Sequence, residues 1–193
     1  EMSFVRAEDI QGIMEPLMVE VSALVGRTVA GPFPRLPYRD AMEWYGSDKP
    51  DLRCAVKLQD ATNLFAASEF NLFRAAAESG GTRRVRALAF AGEQAGSYSR
   101  KQLDELQESA RQLGAGGLPY VKWGKDGLSS SFKKFIDASL EASLRERFGV
   151  TGEGLVLFAV GSDDQTSKVL GELRLRLARA LGLLDESRFA FLW

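Results

Sequence analysis

The sequence contains no histidine and a single cysteine, Cys54. Without histidine the chain lacks the commonest general base, the commonest metal ligand and every Ser–His or Cys–His catalytic arrangement. One cysteine excludes an intramolecular disulfide and a cysteine metal cluster, and Cys54 is best interpreted as a small buried thiol. We therefore expect no metal site and no conventional nucleophilic active site in this sequence.

An excess of charge of either sign is also missing, because 25 basic residues face 26 acidic ones and the net charge is −1. No global field then draws the protein to nucleic acid or membrane, although a local basic face would still suffice for RNA binding. The sequence has no apolar run of about 18 residues and no charged-then-apolar leader. We therefore expect no membrane partner and a cytoplasmic location.

Apolar residues recur at helical spacing along much of the chain, and residues that commonly cap helices lie at the ends of several of these segments. Pro16 lies inside the first periodic segment, where an interior proline costs about 3 kcal/mol, so we expect a kink or a break there. Ser99 with Gln102, and Ser162 with Gln165, have the spacing of capping boxes. Helices are predicted over residues 7–25, 39–45, 58–68, 99–114, 132–149 and 163–181.

Strands are predicted over residues 70–76, 84–90, 118–123 and 154–161, with the turn at 79–82 joining the first two. Strand pairs interrupted by helices favour an α+β fold, in which helices cover one face of an antiparallel sheet. The regions 1–53 and 183–193 differ in character from the middle. We expect them to be two edges of another domain into which the middle is inserted.

The composition of the stretch YGSDKPDLR, residues 45–53, is that of a tight, polar and exposed loop. Asp48 and Asp51 lie three residues apart, and such a pair can hold a metal or act as acid and base. The alternative is that both carboxylates cap their own backbone, as aspartate commonly does in loops rich in glycine, serine and proline. The alternative is favoured. Two glycine-rich stretches, 78–82 and 114–117, lack the sequence context of phosphate loops.

Basic residues with interleaved aromatic residues occur on or beside the predicted strands. A sheet face of this composition can hold an RNA backbone or stack bases, whereas the competing interpretation is an ordinary solvated face. The competing interpretation is favoured because the overall charge is close to neutral. The basic residues are Arg74, Arg83, Arg84, Arg86, Lys122 and Lys125, and the aromatic residues are Phe73, Tyr120 and Trp123. Of these, Arg74, Arg84, Arg86 and Lys122 are the candidate RNA-facing positions.

Several strings of the sequence are more specific than its periodicity: EMSF at 1–4, PFPRLPYRDAMEWYGSDKPDLR at 32–53, GLPYVKW at 117–123, SSSFKKFI at 129–136, LGELRLRLARALGLLD at 170–185 and FAFLW at 189–193. In this order, along essentially the whole chain, they resemble bacterial-type aspartyl-tRNA synthetase. The proline–arginine connector running into YGSDKPDLR is the most specific of them. Trp44 stands where that family usually has arginine, and Ser131-Phe132 replaces a more usual serine–proline pair.

The resemblance implies a central fragment of a class II aspartate–tRNA ligase. It implies a catalytic-domain segment after motif 2 at 1–56, a GAD insertion domain at 57–182 and a return to the catalytic domain at 183–193. The GAD domain is named for its occurrence in a glutamyl amidotransferase subunit and in aspartyl-tRNA synthetase. The apolar ending 189–193 also leads us to expect a piece cut from a longer chain.

Function follows from the resemblance as an expectation. The parent enzyme would be a homodimer that uses ATP and Mg²⁺ to attach aspartate to tRNA. The motif 2 arginine, the aspartate-binding residues and motif 3 would lie outside the fragment, which would bind no cofactor and be inactive alone. The residues expected at the active-site rim or near the tRNA are Glu1, Ser47, Asp48, Lys49, Asp51 and Arg53.

Two alternatives stay open. One is a standalone GAD-like module, as in the amidotransferase subunit that works on misacylated tRNA, although residues 1–53 argue against it. The other is a protein-interaction domain without any connection to RNA. Salt-dependent tRNA binding separates the second alternative from an RNA-binding function.

Overall fold

The computed structural model of the chain describes residues 2–193, and Glu1 lies outside the described residues. Two helices come first, α1 (Ala7–Leu24) and α2 (Tyr38–Tyr45). A mixed segment follows, with β1 (Leu58–Asp60), a 3-10 turn (Thr62–Phe65), α3 (Asn71–Ala77), β2 (Arg84–Ala91), α4 (Glu93–Gly96), α5 (Arg100–Gln112), β3 (Tyr120–Gly124), β4 (Gly127–Ser130), a second 3-10 turn (Lys133–Phe135), α6 (Ala138–Phe148), β5 (Gly154–Gly161) and α7 (Asp163–Ala180).

The five strands form one sheet in the order β1-β2-β5-β3-β4, and every neighbouring pair is antiparallel. The long central pair β2 and β5 sets the register, with Ala87 opposite Phe158 and Leu88 opposite Leu157. The α+β class predicted from the sequence is therefore confirmed.

Helices cover both faces of the sheet, so the prediction of one covered face is wrong. Alternate residues of a strand point to opposite faces, and the buried residues of β2 and β5 divide accordingly. On one face Leu88 and Leu157 pack with α5 and α7. On the other face Ala87 and Phe158 pack with α3, α6 and a cluster of phenylalanines.

The phenylalanine cluster is the densest part of the second face. Phe65, Phe73 and Phe158 are 0% exposed, and their ring centroids lie 4.3–5.7 Å apart. Phe132, at the position where the resembling family usually has proline, adds a ring 5.1 Å from that of Phe73. Edge-to-face and offset rings in this range stabilise a core beyond the area that they bury.

Two secondary-structure predictions are wrong. Residues 70–76 form α3 instead of a strand, because the buried residues Phe73 and Ala76 are three apart, as one face of a helix requires. The turn at 79–82 therefore joins a helix to β2. Residues 58–68 form β1 and a 3-10 turn instead of a helix, since Leu58–Asp60 pairs with β2.

The first helix is continuous through Pro16 over Ala7–Leu24, so no break occurs at the proline. Its apolar stripe is only partly covered by the described residues. Ile13 is 51% exposed, Leu17 is 48% exposed and Leu24 is 86% exposed. Within residues 2–193, no helix combines the length and the apolar composition needed to cross a bilayer.

Candidate functional site at the junction of α2, the polar loop and α7

The end of α2 packs against the middle of α7 at a backbone-to-backbone contact. Gly46 closes α2 in the left-handed conformation, with φ of 68°, and its N–H donates to the carbonyl of Met42 over 3.1 Å. Gly171 of α7 faces this turn so closely that a Cβ there would lie 2.8 Å from the Gly46 oxygen and 2.9 Å from the Tyr45 oxygen. Only glycine fits at either position without moving one of the two backbones.

Arg86 of β2 reaches the same junction from the sheet. The residue is 1% exposed. Its Nη1 donates to the hydroxyl of Ser167 on α7 over 2.6 Å, and its Nη2 donates to the main-chain carbonyls of Met42 and Glu43 on α2. Burial lowers the pKa of this guanidinium from its usual value. The arginine therefore connects the sheet, α2 and α7 from inside the protein, where such bonds are strong.

Arg84 lies two residues earlier on the same face of β2 and forms an ion-pair cluster near the surface. Its guanidinium contacts Glu43 at 2.6 Å, Asp60 at 3.2 Å and Asp163 at 2.6 Å. These carboxylates come from α2, β1 and the first turn of α7. With its side chain 22% exposed, Arg84 is neutralised by neighbours from three elements.

A third arginine, Arg174 of α7, holds the loop that follows α2. It is 1% exposed. Its Nε donates to the carbonyl of Val56 over 2.6 Å, and its Nη2 donates to the carbonyls of Asp51 (2.8 Å) and Cys54. The guanidinium also lies 4.7 Å from the centroid of the Tyr45 ring, within the range of a cation–π contact.

The polar loop itself is organised by its aspartate and serine residues. Asp51 accepts bidentate bonds from the Arg53 guanidinium, at 2.9 and 2.7 Å, and one from the Arg53 amide. The Arg53 bond, opposed by partial burial, holds the pKa of Asp51 below its usual value of 3.8. Ser47 accepts a bond from the amide of Lys49. Asp51 therefore caps its own backbone, as the favoured interpretation predicts.

Asp48 and Lys49 are exposed at the tip of the loop. Among residues 2–193 no group of three potential His, Cys, Asp or Glu ligands is close enough to hold a metal. The pair Asp48 and Asp51 therefore has no third protein ligand in the described part of the chain.

The end of the chain returns to the same side of the molecule as the connector before α2. The amide and the carbonyl of Trp193 bond with Pro34 and Leu36, as neighbouring extended strands do. The ring of Phe191 stacks on that of Phe33 with centroids 5.1 Å apart. The indole Nε1 of Trp193 donates to Glu15 of α1 over 2.7 Å.

The predicted RNA-facing residues occupy different environments. Arg86 is buried, so its placement on an exposed basic face is wrong. Arg74 is on helix α3 instead of a strand, where it is exposed and bonded to Asn71. The Nζ of Lys122 donates to the carbonyl of Tyr98 over 2.8 Å. The structure therefore does not bring these residues together on a single basic sheet face.

The sequence profile of the GAD domain family matches residues 73–170, which is half of the chain. The chain belongs to the GAD domain family. The match begins in α3 and ends in α7, so it contains the whole sheet except β1. The GAD match includes Arg84, Arg86 and Ser167, whereas Arg174 follows four residues after its end.

Several known proteins are similar to this chain over its full length. It is 39% identical over 197 residues to the aspartate–tRNA(Asp/Asn) ligase of Gluconobacter oxydans, covering 100% of this chain and 32% of that protein. It is 40% identical over 194 residues to the aspartate–tRNA ligase of Exiguobacterium sibiricum and to the aspartate–tRNA(Asp/Asn) ligase of Bacillus anthracis, again covering all of this chain and 32% of each. The GAD chain spans about a third of the length of these relatives. The resemblance to aspartyl-tRNA synthetase is therefore confirmed.

Sequence reasoning missed Arg174 and Gly171 as members of the junction. A signal for Arg174 was present, because Leu170, Arg174 and Ala178 are spaced by four residues and all three are buried. An arginine within an otherwise apolar helical stripe must find polar partners inside the protein. For Gly171 the sequence contains no such signal, because the close approach of its backbone to Tyr45 and Gly46 depends on how α2 packs against α7 in the folded chain.

Proposed function

We propose that the chain is the central section of an aspartate–tRNA ligase, an enzyme that attaches aspartate to tRNA at the expense of ATP. The observation that carries the proposal is the alignment of the whole chain, without a missing part, to ligases at 37–40% identity. A family match to the GAD domain alone would support a module, but residues outside the match align as well.

Within the proposed ligase, residues 57–182 form the GAD insertion and residues 1–56 and 183–193 belong to the catalytic domain. Two contacts support this division. Trp193 pairs with the backbone of Pro34 and Leu36, and Phe191 stacks on Phe33, so the two flanking segments lie beside each other. An insertion into a domain leaves the surrounding chain ends adjacent in this way.

The section alone carries no complete aminoacylation site in our proposal. ATP and Mg²⁺ would be bound by other parts of the ligase, which would act as a cytoplasmic homodimer. The polar loop would lie at the active-site rim or beside the tRNA acceptor end, with Ser47, Asp48 and Lys49 facing outward and the pair Asp51 and Arg53 giving the loop its shape. Glu1 would also lie near the catalytic site.

The proposal is tested by replacing the matching section of the Gluconobacter oxydans ligase with this chain. Aspartate-dependent exchange of pyrophosphate into ATP measures adenylate formation. We expect the chimaera to catalyse exchange and the isolated chain to show none. The control is the same ligase with a glycine–serine linker instead of the section. A chimaera that is folded and dimeric but no more active than the linker control would contradict the ligase proposal. Pyrophosphate exchange catalysed by the isolated chain would contradict the proposal that the chain lacks a complete aminoacylation site.

A tRNA-proximal location makes a separate prediction for binding. Arg74, which is exposed on α3, would contribute a phosphate contact, and removing such a contact lowers the slope of the salt dependence of binding by about one unit. We expect the change Arg74→Gln to weaken tRNA binding to the chimaera and to reduce that slope. The matched control is Lys101→Gln on the exposed face of α5. Equal effects of the two changes would indicate non-specific charge and contradict the tRNA-proximal assignment.

A further inference from the structure

The polar loop has no strand or helix of its own between the end of α2 at Tyr45 and the start of β1 at Leu58. Main-chain carbonyls in such a segment need partners, because an unpaired buried carbonyl costs free energy. Asp51, Cys54 and Val56 direct their carbonyls at one side chain, the guanidinium of Arg174. The loop is thus folded around a residue that lies 118 to 123 positions later in the sequence.

The charge of Arg174 is held without a direct carboxylate partner. Within residues 2–193 its bonds go to three main-chain carbonyls, and its plane lies over the Tyr45 ring. None of the ion pairs of the described residues includes it. A buried guanidinium in this situation depends on every one of those carbonyls, because losing them would leave its charge unsolvated. The dependence is mutual, so the loop and the arginine stabilise a single arrangement.

We propose that Arg174 is a positioning residue, through which helix α7 fixes residues 46–56 in one conformation. These residues are the polar loop after Tyr45 and the three residues that follow it. Arg174 does not touch the outward side chains Ser47, Asp48 and Lys49. It acts on them through the backbone at its three carbonyl contacts and through Tyr45, which directly precedes the loop. This inference rests on contacts within the chain and is independent of the proposed ligase activity.

The same helix confines the loop at its start. Gly171 lies one turn before Arg174 and contacts the carbonyls of Tyr45 and Gly46. The close backbone approach at the start of the loop and the Arg174 bonds further along it therefore both come from α7. A motion of α7 against the sheet would be transmitted to the loop, and a loop freed from Arg174 would keep only its own short-range bonds, such as those of Asp51 with Arg53.

The chain provides its own probe of loop opening. Cys54 is the single cysteine and is 1% exposed. It is packed in a small cluster with Ala178 and Leu184. Its rate of reaction with a thiol reagent therefore measures how often the loop leaves α7, provided that global unfolding is measured separately.

The test compares Arg174→Met with Leu177→Ala, a change on the same helix that removes core packing but leaves the bonds of Arg174 to the three carbonyls in place. Without denaturant, we expect Cys54 in Arg174→Met to react at least about tenfold faster than global unfolding of that variant alone would permit. We also expect this reaction rate to stay unchanged at low concentrations of urea. In Leu177→Ala the rate should follow global unfolding and its urea dependence. Arg174→Lys, which keeps the charge but not the fork of donors, should be intermediate.

A second readout concerns parts of the loop that Arg174 does not contact. Amide hydrogen exchange in a peptide covering residues 46–53 should accelerate in Arg174→Lys by several-fold and stay unchanged in Leu177→Ala once both are compared at equal stability. The inference would be overturned if the rates of Cys54 labelling and of amide exchange in Arg174→Lys changed only as much as its global unfolding free energy predicts, as they should in Leu177→Ala. Because Arg174→Lys keeps the buried charge, it gives a decision even if Arg174→Met does not fold.

Discussion

Replacing Gly171 by alanine separates helix propensity from the contact between α7 and α2. Alanine is preferred over glycine in a helix interior by about 1 kcal/mol. The added methyl group, however, would lie 2.8 Å from the Gly46 oxygen and 2.9 Å from the Tyr45 oxygen. Both are backbone atoms, and Gly46 cannot easily change its conformation because it ends α2 with a positive φ. Overpacking of this kind costs about 1–3 kcal/mol, so after the gain in helix propensity we expect a net loss of up to about 2 kcal/mol.

Gly12 supplies the matched control, because it is also inside an 18-residue helix but a Cβ there would meet nothing within 4 Å. Gly12→Ala should be neutral or stabilising by up to about 1 kcal/mol. Urea unfolding followed by far-UV circular dichroism gives both values. If Gly171→Ala stabilised the protein as much as Gly12→Ala does, the close approach of the two backbones would be refuted.

Two further predictions concern the loop and the core. The bond from Arg53 holds the pKa of Asp51 below 3.8 in the folded chain. The ion pair therefore stabilises the folded protein above pH 3.8, and this stabilisation is lost as the pH falls through the folded-state pKa of Asp51. Asp51→Asn should therefore lose less unfolding free energy than the unchanged protein between about pH 5 and pH 2, measured by urea titrations across that range; parallel curves would contradict the pair. Phe158→Ala should cost about 3–5 kcal/mol, because its 0%-exposed ring contacts four other phenylalanines. A loss below about 1 kcal/mol in the same assay would contradict a tightly packed cluster.

Much of the fold could be predicted because local signals and tertiary packing agree. The capping box of Ser99 and Gln102 starts α5 as expected. Ser162 caps α7 by accepting a bond from the Gln165 amide, but the predicted box is incomplete because the Gln165 side chain donates to the carbonyl of Gly114. The run from Gly154 to Gly161 is a central strand whose residues are nearly all buried. In such elements the periodicity of apolar residues is set directly by the two covered faces of the sheet.

The errors arose where two periodicities compete in short segments. In α3 the buried residues Phe73 and Ala76 follow a spacing of three, but a seven-residue segment rich in phenylalanine and alanine has weak preference for either state. The predicted helix over residues 58–68 includes Leu58–Asp60, whose strand is only three residues long and is defined by pairing with β2. Pairing between distant segments leaves no local signal.

The candidate junction was half predictable. The polar loop was identified from composition, and the capping function of Asp51 followed from its residue type. The arginines could not be assigned in the same way, since Arg84 and Arg86 alternate with apolar residues in β2 as solvent-facing residues of a strand would. Their burial arises because α2 and α7 cover that end of the sheet, which is a property of the assembled domain.

The central claim is that this chain is the GAD-containing section of an aspartate–tRNA ligase. Charging of tRNA with radiolabelled aspartate by the Gluconobacter oxydans chimaera tests it most directly, because charging requires adenylate formation and correct placement of the acceptor end together. The account predicts aspartyl-tRNA formation well above that of the linker control and dependent on ATP. A folded, dimeric chimaera that leaves the tRNA uncharged would contradict it.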